Sequence, residues 1–200
     1  MGTSASPHRV AFSSRTVVVA GLAWLLLATA AGTVSTLPAS APPFAVFGLT
    51  ALVLAAAWCL GGFGAWLAAI DERWLVALHL TRFVGAYFLY LYAHDELPYA
   101  FAVPGGLGDI AVAILAALLL LWGSPRDARR RAAYTAWTAL GLVDILFVVV
   151  TAARLGLANP PSMAALLRLP LSLLPTFLVP LIIASHVILA WRLWRRAAAR

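Results

Sequence analysis

Residues 133–155 read AYTAWTALGLVDILFVVVTAARL, and the reading of this stretch decides the fold. It has no strand-like alternation of apolar and polar residues, and its one acid, Asp144, stands at the middle. A membrane-spanning helix needs about 20 predominantly apolar residues. Coiled as an α-helix, the stretch is about 35 Å long at 1.5 Å per residue, enough for a hydrocarbon layer of about 30 Å. Five further segments read the same way: about 16–36, 43–70, 74–93, 104–122 and 175–194. Turn residues or charges mark the breaks between them. They are Leu37-Pro38 through Pro42-Pro43, Asp71-Glu72-Arg73, His94-Asp95-Glu96-Leu97-Pro98, Ser124-Pro125-Arg126-Asp127 and Asn159-Pro160-Pro161.

The composition agrees. Of 200 residues, 64% are hydrophobic and 10% charged, with a mean hydropathy of +0.95. A soluble domain carries roughly 25% charge, so a water-soluble or disordered chain is excluded. The expected fold is all-α: a polytopic bundle of six spans forming a single integral membrane domain over residues 1–200. The formal charge is +7, and every one of the 14 basic residues is Arg. Without Lys there is no Schiff-base lysine and no P-loop. Cys59 is the sole cysteine, which excludes a disulfide framework and a CxxC pair.

The arginines orient the bundle. With both termini in the cytoplasm, the inner side receives Arg9, Arg15, Arg73, Arg126, Arg129, Arg130, Arg131, Arg192, Arg195, Arg196 and Arg200, which is 11 of 14. The loops left outside hold no Arg but contain Asp95 and Glu96. This satisfies the positive-inside rule and points to a bacterial inner membrane. Trp66, Trp74, Trp122, Trp137, Trp191 and Trp194 fall near the inner ends; Tyr90, Tyr92 and Tyr99 mark the outer interface. A competing reading takes residues 1–31 as a cleaved signal peptide. It leaves the other five spans unchanged.

Two segments depart from a straight span. Residues 43–70 are too long and should break at Gly61-Gly62-Phe63-Gly64. Residues 162–194 carry Pro170, Pro175 and Pro180, which free the carbonyls of Leu166, Leu171 and Thr176. We expect a short outer half-helix over 162–173 that turns at Pro175 into the last span; one long kinked helix is the alternative.

Chemistry is sought in the polar residues that lie within the apolar spans. Arg82 and Asp144 fall near mid-span, His79 and His186 somewhat towards the inner side, Asp109 and Arg168 towards the outer. A bare charge at mid-bilayer costs on the order of 2.5–3.5 kcal/mol. Arg82 should therefore pair with Asp144, and Asp109 with Arg168. Helical spacing places His79, Arg82 and Ala86 on one face, and Thr138, Gly141 and Asp144 on another. Asp109 also suits a helix start after Pro104-Gly105-Gly106-Leu107-Gly108, where free N–H groups favour a carboxylate. His94-Asp95-Glu96 reads as a solvated turn rather than a metal site. The arginines of 129–131 and 192–200 read as topology signals in contact with anionic lipids.

The stretches Arg82-Phe-Val-Gly85, Leu97-Pro98 through Pro104-Gly105-Gly-Leu-Gly108-Asp109, Gly141-Leu-Val-Asp144 and Leu174-Pro175 through Pro180 with His186 resemble a family of small multi-pass bacterial membrane proteins. The resemblance covers about residues 75–195 and brings no mechanism with it. It implies that Arg82, Asp109, Asp144 and His186 belong together.

The expected function is binding or movement of a small solute or protons at this polar seam. If Arg168 stays at the interface, Arg82 neutralises one acid only, which leaves Asp109 or Asp144 to carry a proton. No catalytic residue, metal site or cofactor is assigned. Membrane lipids and a small solute or proton are the expected partners, nucleic acid is not, and self-association stays open. Three other classes compete: a packing or assembly subunit, an intramembrane lipid-modifying enzyme using Asp144 and His186 with Ser172 or Thr176, and a haem protein ligated by His79 and His186.

Overall fold

The computed structural model describes residues 11–34 and 41–198. The described residues form eight α-helices, two 3₁₀ stretches and one π turn, and no strand occurs among them. In chain order the helices are α1 (Ser14–Val34), α2 (Ala41–Cys59), α3 (Gly61–Ala69), α4 (Glu72–Ala77), α5 (Gly85–Ala93), α6 (Tyr99–Trp122), α7 (Ala128–Ala158) and α8 (Val179–Ala198). Six segments are long and apolar enough to cross a membrane: Ser14–Thr33, Ala41–Cys59, Glu72–Ala93, Tyr99–Trp122, Ala128–Ala158 and Leu174–Ala198. Large apolar side chains cover the outside, among them Leu26 (70% exposed), Phe44 (77%) and Leu121 (84%). So large an exposed apolar surface suits lipid and not water. Most of the turn expected at 37–42, together with Arg9 and Arg200, lies outside the described residues.

Several boundaries differ from the sequence-based expectation, each for a local reason. The long second segment breaks at Leu60, one residue before the glycines; Leu60 is extended (φ −86°, ψ 97°). Gly64 then passes so close to Ala57 that a Cβ would lie 2.7 Å from its carbonyl oxygen. The third segment is not a uniform helix. Between α4 and α5 it tightens to 3₁₀ over Leu78–Val84. In 3₁₀ geometry side chains three apart eclipse, so His79 and Arg82 are aligned along one line of the segment. No turn residue in Leu78–Val84 signals this.

The fourth segment begins at Tyr99, with Pro98 at its N-cap and Pro104 inside the helix. Asp109 is thus well within α6, which corrects the expectation of a capping position. The fifth extends back over the arginine run to Ala128, with Asp127 at its N-cap accepting from the Arg130 N–H at 2.8 Å. Before α8, the expected half-helix is a 3₁₀ stretch, Pro160–Leu167, and the chain turns over 168–172, ahead of Pro175. Pro175 itself lies in a π turn, Leu174–Leu178.

The prolines leave polar backbone to satisfy, and α1 contributes to this. The Thr176 carbonyl, freed by Pro180, accepts the Trp24 indole N–H at 2.9 Å. Trp24 also meets Phe177 edge-on, with centroids 5.1 Å apart. Three apolar layers make the core among the described residues. The first gathers Val76, Val112, Tyr134, Trp137 and Leu189; the second gathers Phe88, Leu91, Phe101 and Met163; the third gathers Val46, Ile145, Val149 and Ile182. Arg82 stands in the chain between Val76 of the first layer and Phe88 of the second.

Candidate functional site

Arg82 is the largest of the fully buried side chains, 1% exposed. All three of its nitrogens donate to protein acceptors. Nε donates to Asp109 Oδ1 on α6 at 2.6 Å, and NH1 to the Gly141 carbonyl on α7 at 3.0 Å. NH2 donates to Asp144 Oδ2, also on α7. The planar guanidinium therefore ties the 3₁₀ stretch to two helices at once, which a lysine point charge would not do. Arg82 and Asp144 meet as the sequence suggested. Asp109 departs from expectation: it joins the same arginine, not Arg168. Arg168 is exposed, and no ion pair to it is found among the described residues.

Close backbone approach makes room for the cluster. Gly85 lies against the Gly106 carbonyl and Asp109 Cβ, where a Cβ would collide. A side chain at Gly108 would overlap the Asp144 carboxylate, and a Cβ at Gly141 would lie 2.6 Å from the His186 ring. Gly141 thus accepts Arg82 through its carbonyl and seats His186 against its Cα.

His79 and His186 come together next to this junction. Their ring centroids are 4.1 Å apart and tilted by 50°, with Trp137 edge-on to His79 at 4.8 Å. His79 Nε2 shares a 2.9 Å hydrogen bond with Ser185 Oγ. Ser185 donates its own hydrogen to the Ile182 carbonyl at 2.8 Å, so it accepts from His79 Nε2–H. The tautomer follows from this network. His79 Nδ1, both nitrogens of His186 and the Thr138 hydroxyl are buried without a partner. Buried polar groups normally have one.

Two alternatives draw no support from this geometry. The His79 and His186 imidazoles are in ring-to-ring contact, with no porphyrin-sized gap between them. An acid–base–nucleophile hydrogen-bond chain through His186 is not formed among the described residues. His186 bonds neither Asp144 nor the proposed hydroxyls; Thr176 Oγ1 donates instead to the Ser172 carbonyl at 2.7 Å, and Ser172 Oγ is unpartnered.

A cavity of about 90 Å³ opens onto the cluster. Its walls are apolar, including Val46, Phe101, Val148, Met163 and Leu178, and Arg82 and Asp109 supply its charged wall. Pockets for drug-sized ligands run about 300–1,000 Å³. This one suits water, an ion or a small solute.

Residues that the sequence reading treated as a break and a topology signal form a second network. Glu72 is buried, and its Oε1 accepts from Arg192 at 2.9 Å and Arg196 at 2.5 Å. Arg192 also donates to the Leu67 and Ile70 carbonyls, both at 2.9 Å, and so caps the end of α3. The spacing of Arg192 and Arg196, four apart on α8, was the available signal. What hid it was that Glu72 is 120 residues away in sequence. Ser185, beside His186, was likewise passed over.

No curated protein and no solved structure matches the chain. Residues 43–194 match the family described as Domain of unknown function (DUF8737), a range that holds α3 to α7, most of α2 and α8, and every residue of both ionic networks except Arg196. With some three quarters of its length inside that match, the chain belongs to the DUF8737 family.

Proposed function

We propose that the protein is a multi-pass protein of a bacterial inner membrane, with six spans and both termini cytoplasmic, that binds or moves a small solute or protons at the Arg82–Asp109–Asp144 cluster. The observation that carries this is the cavity whose polar wall is Arg82 and Asp109 while its other walls are apolar. Charge counting adds to it. One guanidinium faces two carboxylates. With both ionised the cluster is one negative charge in excess, which is costly away from water. A proton on one carboxyl, or a cationic group in the cavity, restores the balance. The unpartnered nitrogens of His79 and His186 extend the polar path beyond Arg82. Irregular backbone in both the 3₁₀ stretch and the π turn is of the kind that lines binding sites in carriers.

The test is flux. Purified protein in liposomes, with a pH dye inside, should dissipate a proton gradient or take up a small solute above empty liposomes. Asp144→Asn should abolish this while remaining folded by melting temperature. Flux equal to that of empty liposomes, for protons and a broad solute panel, rejects the reading. One observation favours a packing or assembly role instead: each Arg82 nitrogen already has a protein acceptor. That role predicts no flux and a stable partner that co-purifies with the protein.

A further inference from the structure

A second cleft opens at the other ionic network. It has a volume of about 730 Å³ and lies between the loop before α7, the start of α4 and the end of α8. Four arginines, Arg126, Arg131, Arg192 and Arg196, line it with two acids, Asp71 and Glu72, giving a net charge of +2. Both acids are already engaged. Asp71 Oδ1 accepts the Arg73 N–H at 2.9 Å and its Oδ2 the Ser124 hydroxyl at 3.4 Å. Glu72 holds Arg192 and Arg196. Arg126 and Arg131 have no carboxylate among the described residues; the Arg131 guanidinium donates to the Arg126 carbonyl, at 3.3 Å. Arg196 is about half exposed and spends one nitrogen on Glu72.

We propose that this cleft binds a phosphate monoester group, with Arg126, Arg131 and Arg196 as its donors. The match is one of charge and shape. A phosphate monoester carries about −1.5 to −2 at pH 7 and offers three strong acceptor oxygens. Arginine forks bind such oxygens in bidentate fashion. Arg192 and Glu72 form the floor, and the Arg126 and Arg131 guanidiniums and the remaining nitrogens of Arg196 line the cleft without a carboxylate. Trp122 lies close by, with the Arg129 guanidinium 5.6 Å from its ring centroid. Tryptophans of this kind sit at headgroup level. The phosphate has two sources, the headgroup of a phosphatidic-acid-type lipid or a free phosphate compound. The site does not depend on the Arg82 cluster.

The experiment uses the full chain in neutral-lipid nanodiscs. Phosphatidic acid and, separately, inorganic phosphate are titrated against melting temperature and against lipid retention in native mass spectrometry. Wild type should bind at least one of the two. The double variant R126Q/R131Q should bind it roughly tenfold more weakly, as expected for lost charged hydrogen bonds. The control R154Q/R168Q removes the same charge from exposed positions outside the cleft and should change binding less than about twofold on that scale. Binding of phosphatidic acid that millimolar phosphate does not displace assigns the lipid source; binding of inorganic phosphate assigns the free one. If neither probe binds, or if the two double variants behave alike, the site does not exist.

Discussion

The two ionic networks use the same residue types to opposite ends. Around Arg82, one cation serves two carboxylates within the bundle, and the arginine and Asp109 are almost wholly buried. Around Glu72, one carboxylate serves two cations at the end of the bundle, beside a wide cleft, with Arg196 about half exposed. The first has an excess of negative charge and little water to screen it; the second has an excess of positive charge and an open face. Buried pairs contribute little net stability while intact, but losing one partner is severe. In the second network the Glu72–Arg192 pair is buried too, and only the half-exposed Arg196 arm is weak and responds to salt. The two networks should therefore differ in how they fail.

The largest effect is expected from Arg82→Leu. It leaves two carboxylates facing each other without their cation, and should cost about 3–5 kcal/mol, read as a large drop in melting temperature in detergent. The drop should be nearly the same at low and high salt. Next comes Gly141→Ala, whose Cβ would lie 2.6 Å from the His186 ring. Overpacking of this kind costs about 1–3 kcal/mol, and the same melting assay checks it. Glu72→Gln should cost less than Arg82→Leu, about 1–3 kcal/mol, because the buried Arg192 keeps the Leu67 and Ile70 carbonyls and the half-exposed Arg196 turns to water. Its effect should shrink as salt rises, in contrast to Arg82→Leu. If both variants show the same salt dependence, the distinction between the networks is lost. Trp24→Phe removes the donor to the Thr176 carbonyl and should cost about 1 kcal/mol or less.

How much was legible in advance follows from the range of each signal. Span-length apolar runs and the residues that interrupt them are local properties, so the six long segments could be read directly. That Arg82 needs a buried partner also follows from desolvation cost alone. Which acid it takes was only half legible. Helical counting placed Asp109 near the outside because Pro104 was read as a helix start; in the structure α6 starts at Tyr99 and carries Pro104 within it. The 3₁₀ stretch at Leu78–Val84 leaves no mark in local composition; it accompanies the close approach of Gly85 to Gly106. The Glu72–Arg192 pair was invisible for a different reason. A charge beside a turn looks solvated until the fold brings a distant helix over it.

The most direct test of the account is a double-mutant cycle on Arg82 and Asp144, measured as unfolding free energy in one detergent. The account predicts strong coupling: Arg82→Leu with Asp144→Asn should be more stable than Arg82→Leu alone, with an interaction energy of at least about 1 kcal/mol. Additive losses, with the double variant weaker than the wild type by the sum of the two single losses, would contradict it.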